Sequence, residues 1–339
     1  MNSEKILLTG AGGYIGSHAA HVLLENGYEV VGIDNFSTGY KEPLAYLESV
    51  FGKEKFRYYD VDLTDKIRVV EVFEKESGIS AVMHFAASCS VNESVENPYK
   101  YFTNNVLCSL NLLEIMKDRG VKRFVFSSTC ALYGSPEYMP VDEKHPTHPE
   151  SPYGESKLIA EQVIHWYGKL FGISYTILRY FNVCGALESG ELGDSKRPSS
   201  LLVQNAVRGA LGLQPFELTC GKVNTPDGTP IRDYINVVDL AGAHMAALKY
   251  LSNGGESDLF NLGTGVGSSV LDIVKAVQKI TGVSFDLKQG EARKGESEKI
   301  VADTTKVSSK LGWKASRSLE DSVRALETWY KKHPNGWSS

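Results

Sequence analysis

The sequence has few cysteines and lacks any long apolar run. Its 339 residues include five cysteines, odd in number and widely scattered: Cys89, Cys108, Cys130, Cys184 and Cys220. This pattern has neither metal-site spacing nor the form of a disulfide framework, so we expect reduced thiols. There is no run of about 18 apolar residues, and the chain starts with the polar Met-Asn-Ser-Glu-Lys. The sequence therefore predicts neither a membrane span nor a signal peptide, and we expect a cytoplasmic protein.

An excess of charge of one sign is also lacking. The chain carries 36 Lys and Arg against 41 Asp and Glu, a net charge of −5. This balance provides no basic surface for nucleic acid or for an anionic membrane. We therefore expect a small-molecule partner, no nucleic acid and no membrane. The scattered cysteines in addition predict no metal site. The length allows one large domain or two modest ones.

A glycine turn near the N-terminus is the first candidate site. The apolar run Ile6–Thr9 leads into Gly10-Ala11-Gly12-Gly13-Tyr14-Ile15-Gly16, and a helical apolar stripe follows. A strand, a glycine turn and a helix in this order are typical of a dinucleotide site. Glycines let the backbone approach a pyrophosphate, and the start of a helix offers free N–H groups. A glycine run by itself would indicate no more than a turn.

An acidic residue at the end of the next predicted strand supports this interpretation. Residues 28–34 form that strand, and Asp34 lies 18 residues beyond Gly16. A carboxylate at this position accepts hydrogen bonds from both adenosine ribose hydroxyls and repels a 2′-phosphate. Asn35, Phe36 and Ser37 follow without an arginine. The sequence therefore favours NAD over NADP.

The second candidate site joins the end of a strand to the start of a helix. Residues 124–129 form an apolar run that ends in hydroxyls, and residues 151–157 begin a helical pattern. Positions four apart lie on one helix face, so Tyr153 and Lys157 can converge near Thr129. A nearby ammonium favours the phenolate form of a tyrosine, which can then exchange a proton with a substrate alcohol. An ordinary amphipathic helix would show the same spacing.

Alternating strands and helices predict an α/β fold with a doubly wound parallel sheet of the Rossmann type. Further strands are predicted at 56–63, 82–87, 123–128 and 175–179, and helices at 65–77, 99–118, 153–171, 201–212, 238–251, 269–281 and 319–332. His84, alone on an apolar strand, is interpreted as a core residue. We expect an NAD-binding domain at 1–184, with a returning segment near 233–258, and a smaller α/β domain at 185–339. Helices 99–118 and 155–171 are candidates for a homodimer interface.

Several motifs together resemble the extended short-chain dehydrogenase/reductase family. They are Thr-Gly-x-x-Gly-Tyr-Ile-Gly, Asp34-Asn35, Ser127-Ser128-Thr129, Tyr153-x-x-x-Lys157 and Arg179-Tyr180-Phe181-Asn182. Within that family the chain is similar to the UDP-glucose 4-epimerases, through Pro226–Thr229 leading into Arg232–Ile235, Asn261–Gly265 and Lys332–Gly336. The resemblance runs from about residue 5 to residue 337.

The resemblance implies roles for individual residues. It implies catalysis by Tyr153, Lys157 and Thr129. For a tightly bound NAD that is not consumed, it implies Gly10, Gly13, Tyr14, Ile15, Gly16, Asp34, Asn35, Phe36, Ser37, Asp62, Leu63, Phe85, Ala86, Ala87, Asn104, Ser127, Tyr153, Lys157 and Tyr180. For a UDP-sugar it implies Thr129, Tyr153, Asn182, Ser200, Leu201, Arg232, Arg293 and Glu296. Cys89 stands where many such enzymes have a lysine.

The implied activity is inversion at C4 of a UDP-hexose, which interconverts UDP-glucose and UDP-galactose. Tyr153 takes the proton of the 4-hydroxyl, hydride passes to NAD, and the 4-keto sugar receives the hydride back on its other face. A 4-epimerase of an N-acetyl, pentose or uronic UDP-sugar stays open. A nucleotide-sugar dehydratase needs an acid pair directly after the catalytic threonine, where Cys130-Ala131 stand. A non-catalytic NAD sensor would have little reason to keep Thr129, Tyr153 and Lys157 together.

Overall fold

The structure is a computed structural model that describes residues 4–196, 199–216, 218–284, 287–289 and 297–337. The described residues divide into two compact units. The first unit takes in Met1–Gly134, Thr147–Arg179 and Ala241–Phe260, and the second takes in Ser135–Pro146, Tyr180–Leu240 and Asn261–Ser339. None of the described helices has the length and apolar character needed to cross a bilayer.

The chain alternates between strands and helices along most of its length. The strands are β1 (Lys5–Thr9), β2 (Glu29–Asp34), β3 (Phe56–Asp60), β4 (Ile79–His84), β5 (Arg123–Thr129), β6 (Ser174–Tyr180), β7 (Asn182–Cys184), β8 (Leu218–Cys220), β9 (Ile231–Asn236), β10 (Asp258–Leu262), β11 (Gly267–Ser269), β12 (Leu287–Gln289) and β13 (Lys299–Ile300). The helices are α1 (Tyr14–Glu25), α2 (Glu42–Phe51), α3 (Lys66–Lys75), α4 (Val91–Glu96), α5 (Pro98–Tyr101), α6 (Leu107–Arg119), α7 (Pro152–Phe171), α8 (Leu202–Ala210), α9 (Val237–Ser252), α10 (Val270–Thr281), α11 (Thr305–Leu311) and α12 (Leu319–Lys332).

A seven-stranded sheet with the order β10-β6-β5-β4-β1-β2-β3 organises the first unit. Strand β1 pairs in parallel with β2 on one side and with β4 on the other, so Thr9 faces both Ile33 and His84. The strand order reverses between β1 and β4, and ligands of such sheets bind beyond the carboxyl ends of the strands at this point. The predicted doubly wound parallel sheet is confirmed.

The central strands are apolar on both faces because helices cover both sides of the sheet. Ile6, Leu7 and Leu8 in β1 are all fully buried. One core cluster contains Leu7 of β1, Phe124 of β5 and Ile164 of α7. Burial of each such side chain stabilises the fold by about 1.5–3 kcal/mol.

The predicted helix at 99–118 is confirmed, but a π-helical turn lies inside it. The segment consists of α5, a π-helical turn at Phe102–Val106 and then α6. The π turn coincides with Asn105, whose buried side chain hydrogen-bonds outside its own helix. A π turn of this kind is frequent at functional sites. Helices α2, α4 and α11 were not predicted from the sequence, since they are short and mostly polar outside.

The second unit contains a small mixed sheet. Strand β9 pairs in antiparallel fashion with β11 and in parallel with β13 and β7. The helices α8, α10 and α12 contribute a separate core that includes Val207, Ile273 and Trp329. The predicted domain boundary at 184 differs from the boundary at 179, because residues 182–184 pair with β9. The segment of the first unit that returns late in the chain is Ala241–Phe260.

Candidate active site

The glycine turn after β1 is shaped by very close backbone contacts. Gly10 has a φ of 71°, and a Cβ there would lie 2.7 Å from the amide nitrogen of Ala86. A Cβ on Gly16 would lie 2.0 Å from the carbonyl oxygen of Gly10. Only glycine fits at these two positions. The turn therefore brings the start of α1, with the N–H groups that a helix end presents, to the switch point of the sheet.

Asp34 holds this turn against the end of β2. Its Oδ2 accepts a hydrogen bond from the Gly12 amide at 2.9 Å, and its Oδ1 accepts one from the Phe36 amide at 2.8 Å. Burial raises the pKa of Asp34, although both hydrogen bonds act in the opposite direction. Each carboxylate oxygen has a second lone pair. The carboxylate can therefore also accept hydrogen bonds from ligand hydroxyls.

Two further predicted cofactor residues are joined beside Asp34. The side-chain amide of Asn35 donates to Asp62 Oδ2 at 2.8 Å, and Asp62 Oδ1 accepts from the backbone amide of Thr64 at 2.8 Å. Burial opposes the charge of Asp62, but hydrogen bonds from Thr64 and Asn35 together lower its pKa. Phe36 has a left-handed backbone with a φ of 55°, which is uncommon for an aromatic residue. Such backbone strain is frequent at ligand sites.

The loop after β4 begins with the predicted cofactor residues Phe85, Ala86 and Ala87. The amide of Phe85 donates to the Thr9 carbonyl at 3.2 Å, which places this loop beside the glycine turn. His84 Nδ1 lies 2.7 Å from Thr9 Oγ1, and its Nε2 lies 3.2 Å from Ser109 Oγ. Burial holds the pKa of His84 well below its usual value. His84 is thus a hydrogen-bonded core residue, as its setting in the sequence predicted.

The predicted catalytic residues occupy the end of β5 and the first turns of α7. Thr129 is the last residue of β5, and its Oγ1 accepts a hydrogen bond from the Ala131 amide at 3.1 Å. Ser151 caps α7, which carries Tyr153 and Lys157 one turn apart. Lys157 is 3% exposed. The structure brings all three residues into the first unit.

The ammonium of Lys157 lies over an aromatic ring instead of facing bulk water. Its Nζ is 4.1 Å from the centre of the Phe126 ring. Burial lowers the pKa of Lys157 to about 8, although the carboxylate of Glu161 raises it. The ammonium of Lys157 therefore loses its proton more readily than that of an exposed lysine, which has a pKa near 10.4.

A buried ion pair below α7 was not found from the sequence. Glu161 accepts from Arg179 Nε at 3.0 Å and from Ser128 Oγ at 2.5 Å. Arg179 also donates to Tyr133 Oη at 3.0 Å. The ion pair thus ties α7 to β5 and β6. Its signal in the sequence was the position of Glu161, four residues after Lys157 on the same helix face.

Asn105 is a second buried residue of the site that was not predicted from the sequence. Its Oδ1 accepts from the Ser88 amide at 2.8 Å, and its Nδ2 donates to the Ser88 carbonyl at 3.0 Å and to Ser156 Oγ at 2.9 Å. The predicted residue Asn104 donates to Asn105 Oδ1 at 3.1 Å. Asn105 therefore connects the loop after β4 to the helix that carries Tyr153. Its signal was the Asn-Asn pair inside an apolar helical pattern.

The predicted substrate residues lie mostly in the second unit. Asn182 is in β7, and its Nδ2 is 3.5 Å from the Asp233 carbonyl. Arg232 is in β9, directly opposite Ile300 of β13. Ser200 and Leu201 precede α8. Two of the predicted cofactor residues, Ser127 and Tyr180, lie in β5 and at the end of β6. Arg293 and Glu296 lie outside the described residues.

Asp233, next to Arg232, anchors the loops around β9. It is fully buried, and its Oδ1 accepts from the Thr264 amide at 2.8 Å. Its Oδ2 accepts from the Gly265 amide at 3.0 Å and the Ala302 amide at 3.3 Å. Burial raises the pKa of Asp233, and these amides oppose that shift. The sequence around Asp233 is part of a family motif, but it does not indicate this anchoring role.

Comparison with known proteins identifies the family to which this sequence is similar. Residues 6–263 match the model of the NAD dependent epimerase/dehydratase family. A UDP-glucose 4-epimerase from Lactobacillus helveticus is 40% identical over 335 residues, which cover 98% of this chain and 99% of that protein.

Solved structures of UDP-glucose 4-epimerases are also similar to this chain. A UDP-glucose 4-epimerase from Bifidobacterium longum, in complex with NAD+ and UDP, has a TM-score of 0.91 at 36% identity, covering 98% of this chain and 100% of that one. A UDP-glucose 4-epimerase from Stenotrophomonas maltophila, with bound NAD and formylated UDP-arabinopyranose, has a TM-score of 0.93 at 35% identity, covering 98% and 99%.

Proposed function

This chain belongs to the NAD dependent epimerase/dehydratase family, and from that premise we propose that it inverts C4 of a UDP-hexose and so interconverts UDP-glucose and UDP-galactose. The observation that carries this proposal is similarity to UDP-glucose 4-epimerases over nearly the whole chain, in a fold that places Tyr153 and Lys157 on one helix. NAD, when bound, supplies the reversible oxidation at C4 and is not consumed.

The residues at the switch point of the sheet fit NAD. The contacts of Gly10 and Gly16 bring the turn close to the loop after β4, and among the described residues outside its immediate chain neighbours no side chain lies within 4 Å of a Cβ built on Gly13. Asp34 lies at the end of β2 with acceptor capacity for ribose hydroxyls. A negative carboxylate also disfavours the 2′-phosphate of NADP. Asp62 and Leu63 are proposed to flank the adenine.

Tyr153 is proposed to take the proton from the sugar 4-hydroxyl and to return it after inversion. Lys157 supports this step, because a buried ammonium one turn away on α7 favours the phenolate. Thr129 is proposed to hydrogen-bond the same substrate oxygen. Its hydroxyl can donate to substrate while it accepts from the Ala131 amide.

The second unit is proposed to hold the UDP group. Arg232 is suited to a phosphate because a guanidinium binds phosphate oxygens with a fork of donors. Asn182 is proposed to contact the same diphosphate, and the fixed loops around Asp233 support both positions. Ser200, Leu201, Arg293 and Glu296 complete the proposed substrate set.

UDP-glucose and UDP-galactose are the proposed substrates, and UDP-pentoses are the second candidate. The related enzyme from Stenotrophomonas maltophila holds a formylated UDP-arabinopyranose, which motivates the alternative. A dehydratase is disfavoured, because Cys130 and Ala131 follow Thr129 where such enzymes need carboxyl groups. A role in galactose metabolism follows from the proposed substrates.

A homodimer in the cytoplasm is also proposed. Large apolar side chains are exposed on α4, α5 and α7: Val95 at 64%, Tyr99 at 79%, Trp166 at 54% and Leu170 at 62%. Exposed apolar surface of this kind is typical of an interface. All five cysteines are free, which fits a reducing compartment. Light scattering should give twice the monomer mass of 37.2 kDa, and a monomer at all concentrations would contradict the dimer.

The activity is tested by incubating the purified protein separately with UDP-glucose, UDP-N-acetylglucosamine, UDP-xylose and UDP-glucuronate. Chromatography resolves the C4 epimers, and acid release measures bound nucleotide. We expect UDP-galactose from UDP-glucose, nearly one NAD per chain, and no net formation of NADH. Turnover that consumes NAD in proportion to product, or epimerisation of the pentose alone, would overturn the proposed reaction or the proposed substrate.

A further inference from the structure

Tyr101 is a buried tyrosine beside the proposed base, and neither the motifs nor the comparisons give it a role. It ends α5 and is fully buried. Its ring meets the ring of Tyr153 edge-on, with 6.3 Å between centroids and 82° between planes. Aromatic rings attract each other in this arrangement. One side of the Tyr153 ring is therefore packed against a second phenol.

The hydroxyl of Tyr101 both donates a hydrogen bond to the protein and accepts one from it. It donates to Glu93 Oε2 at 2.8 Å and accepts from the Ser90 amide at 2.9 Å. Lys100 donates to the other oxygen of Glu93 at 2.5 Å, so the carboxylate is itself held. Burial and the hydrogen bond to Glu93 raise the pKa of Tyr101. Tyr101 thus stays a protonated donor and does not act as a base.

These contacts connect Tyr101 to the loop that follows β4. Ser90 ends that loop and caps α4, because its Oγ accepts from the Glu93 amide at 3.3 Å. The same loop begins with Phe85 and Ala86, which are proposed to contact NAD. Tyr101 therefore joins the cofactor loop, α4 and the ring of Tyr153.

We propose that Tyr101 is a positioning residue for Tyr153. Glu93 and Ser90 fix its hydroxyl, the fixed hydroxyl holds its ring, and the ring sets the orientation of Tyr153 at the start of α7. The effect on turnover rests on the proposed epimerase function, while the effect on local order does not. A small misplacement of a catalytic group lowers the rate of the chemical step more than it weakens substrate binding.

The kinetic test uses Tyr101→Phe, which keeps the ring and removes the hydroxyl. We expect kcat to fall about tenfold, while KM for UDP-glucose and bound NAD stay within about twofold. Tyr99→Phe is the matched control, since it removes the same hydroxyl from a neighbouring tyrosine that is 79% exposed. It should leave kcat unchanged.

Hydrogen–deuterium exchange gives a readout that does not depend on turnover. Tyr101→Phe should speed exchange in residues 88–95 and also in residues 152–158, which include Tyr153. Faster exchange in residues 88–95 alone, with unchanged kcat, would overturn the positioning role. A parallel loss of kcat and bound NAD would also overturn it, since it would indicate a general structural role. If wild-type protein epimerises no UDP-sugar, the proposed function fails, but the exchange data still decide whether Tyr101 orders Tyr153.

Discussion

Two buried carboxylates, Glu161 in the first unit and Asp233 in the second, are satisfied in different ways. In the first unit, Glu161 faces the guanidinium of Arg179 and is carried, like its partner, on a regular element. In the second unit, Asp233 faces backbone amides of Thr264 and Ala302, which lie in loops. The first arrangement locks a helix to a sheet, and the second shapes loops. The ion pair of Glu161 fixes the helix that carries the proposed base, and the amides around Asp233 fix loops next to the proposed phosphate ligand Arg232.

The largest expected effect separates chemistry from binding. Tyr153→Phe removes the proposed base in the first unit, so kcat should fall by about 10³-fold, within the usual range for a general base. KM for UDP-glucose and the amount of bound NAD should change little, because the second unit is untouched. Steady-state kinetics and nucleotide release measure both. A variant that kept most of its activity would exclude Tyr153 as the base.

Breaking the ion pair of the first unit should cost the most stability. Glu161→Gln leaves Arg179 buried without a counter-charge, and we expect a loss of about 3–5 kcal/mol in the free energy of unfolding. Glu74→Gln is the control, since Glu74 forms an exposed pair with Arg119 and exposed pairs contribute roughly 0–1 kcal/mol. Urea denaturation compares the two variants. Equal losses in the free energy of unfolding would show that the buried pair stabilises the protein no more than the exposed pair.

The buried cation of the first unit should give a pH-dependent effect. The pKa of Lys157 falls from 10.5 to about 8 in the folded protein, so the unfolded chain binds more protons between these values and stability rises with pH across this window. Below pH 8 the free energy of unfolding is reduced by the full cost of burying the charged Lys157, roughly 3 kcal/mol.

Lys157→Met should remove that pH dependence. Urea denaturation of nucleotide-free protein at pH 7 and pH 10 should show a larger gain in stability with pH for wild type than for Lys157→Met. Lys169→Met is the control, because Lys169 lies over the Trp166 ring on the outer part of the same helix. A rise with pH that persisted in Lys157→Met would assign it to another group.

The smallest expected effect concerns the second unit. Asp233→Asn replaces one acceptor oxygen by a donor that faces backbone N–H groups, which should cost about 1–3 kcal/mol. Because Arg232 is the adjacent residue, we also expect weaker binding of UDP. Calorimetry with UDP measures the affinity, and bound NAD serves as the internal check. Asp303→Asn is the control, since its carboxylate accepts from the Thr305 amide in an exposed turn. Loss of NAD in Asp233→Asn would contradict an effect confined to the second unit.

Much of the first unit was predictable because its signals are local. The strand that ends at Thr9, the glycine turn, Asp34 and the spacing of Tyr153 and Lys157 all follow from residues close together in the chain. The structure places each of them on the predicted element. The π turn inside the helix at 99–118 was not predictable, because the apolar pattern continues through Phe102–Val106.

The second unit was predicted less well because its short strands carry little pattern. Strands of two or three residues, such as β7, β11 and β13, are too short for a hydrophobic alternation. The importance of Asp233 was also hidden. An aspartate in a strand gives no sign that it is buried and surrounded by amides.

The sequence by itself determined the order of strands and helices, the dinucleotide turn and the spacing of Tyr153 and Lys157. These features follow from hydrophobic periodicity and turn chemistry, which act over a few neighbouring residues. The contacts of Glu161, Asn105, Asp233 and Tyr101 depended on folding. Arg179 lies 18 residues from Glu161, Ser156 lies 51 from Asn105, and Ala302 lies 69 from Asp233. A buried polar side chain must find a partner wherever the fold supplies one, and chain spacing carries no record of that partner.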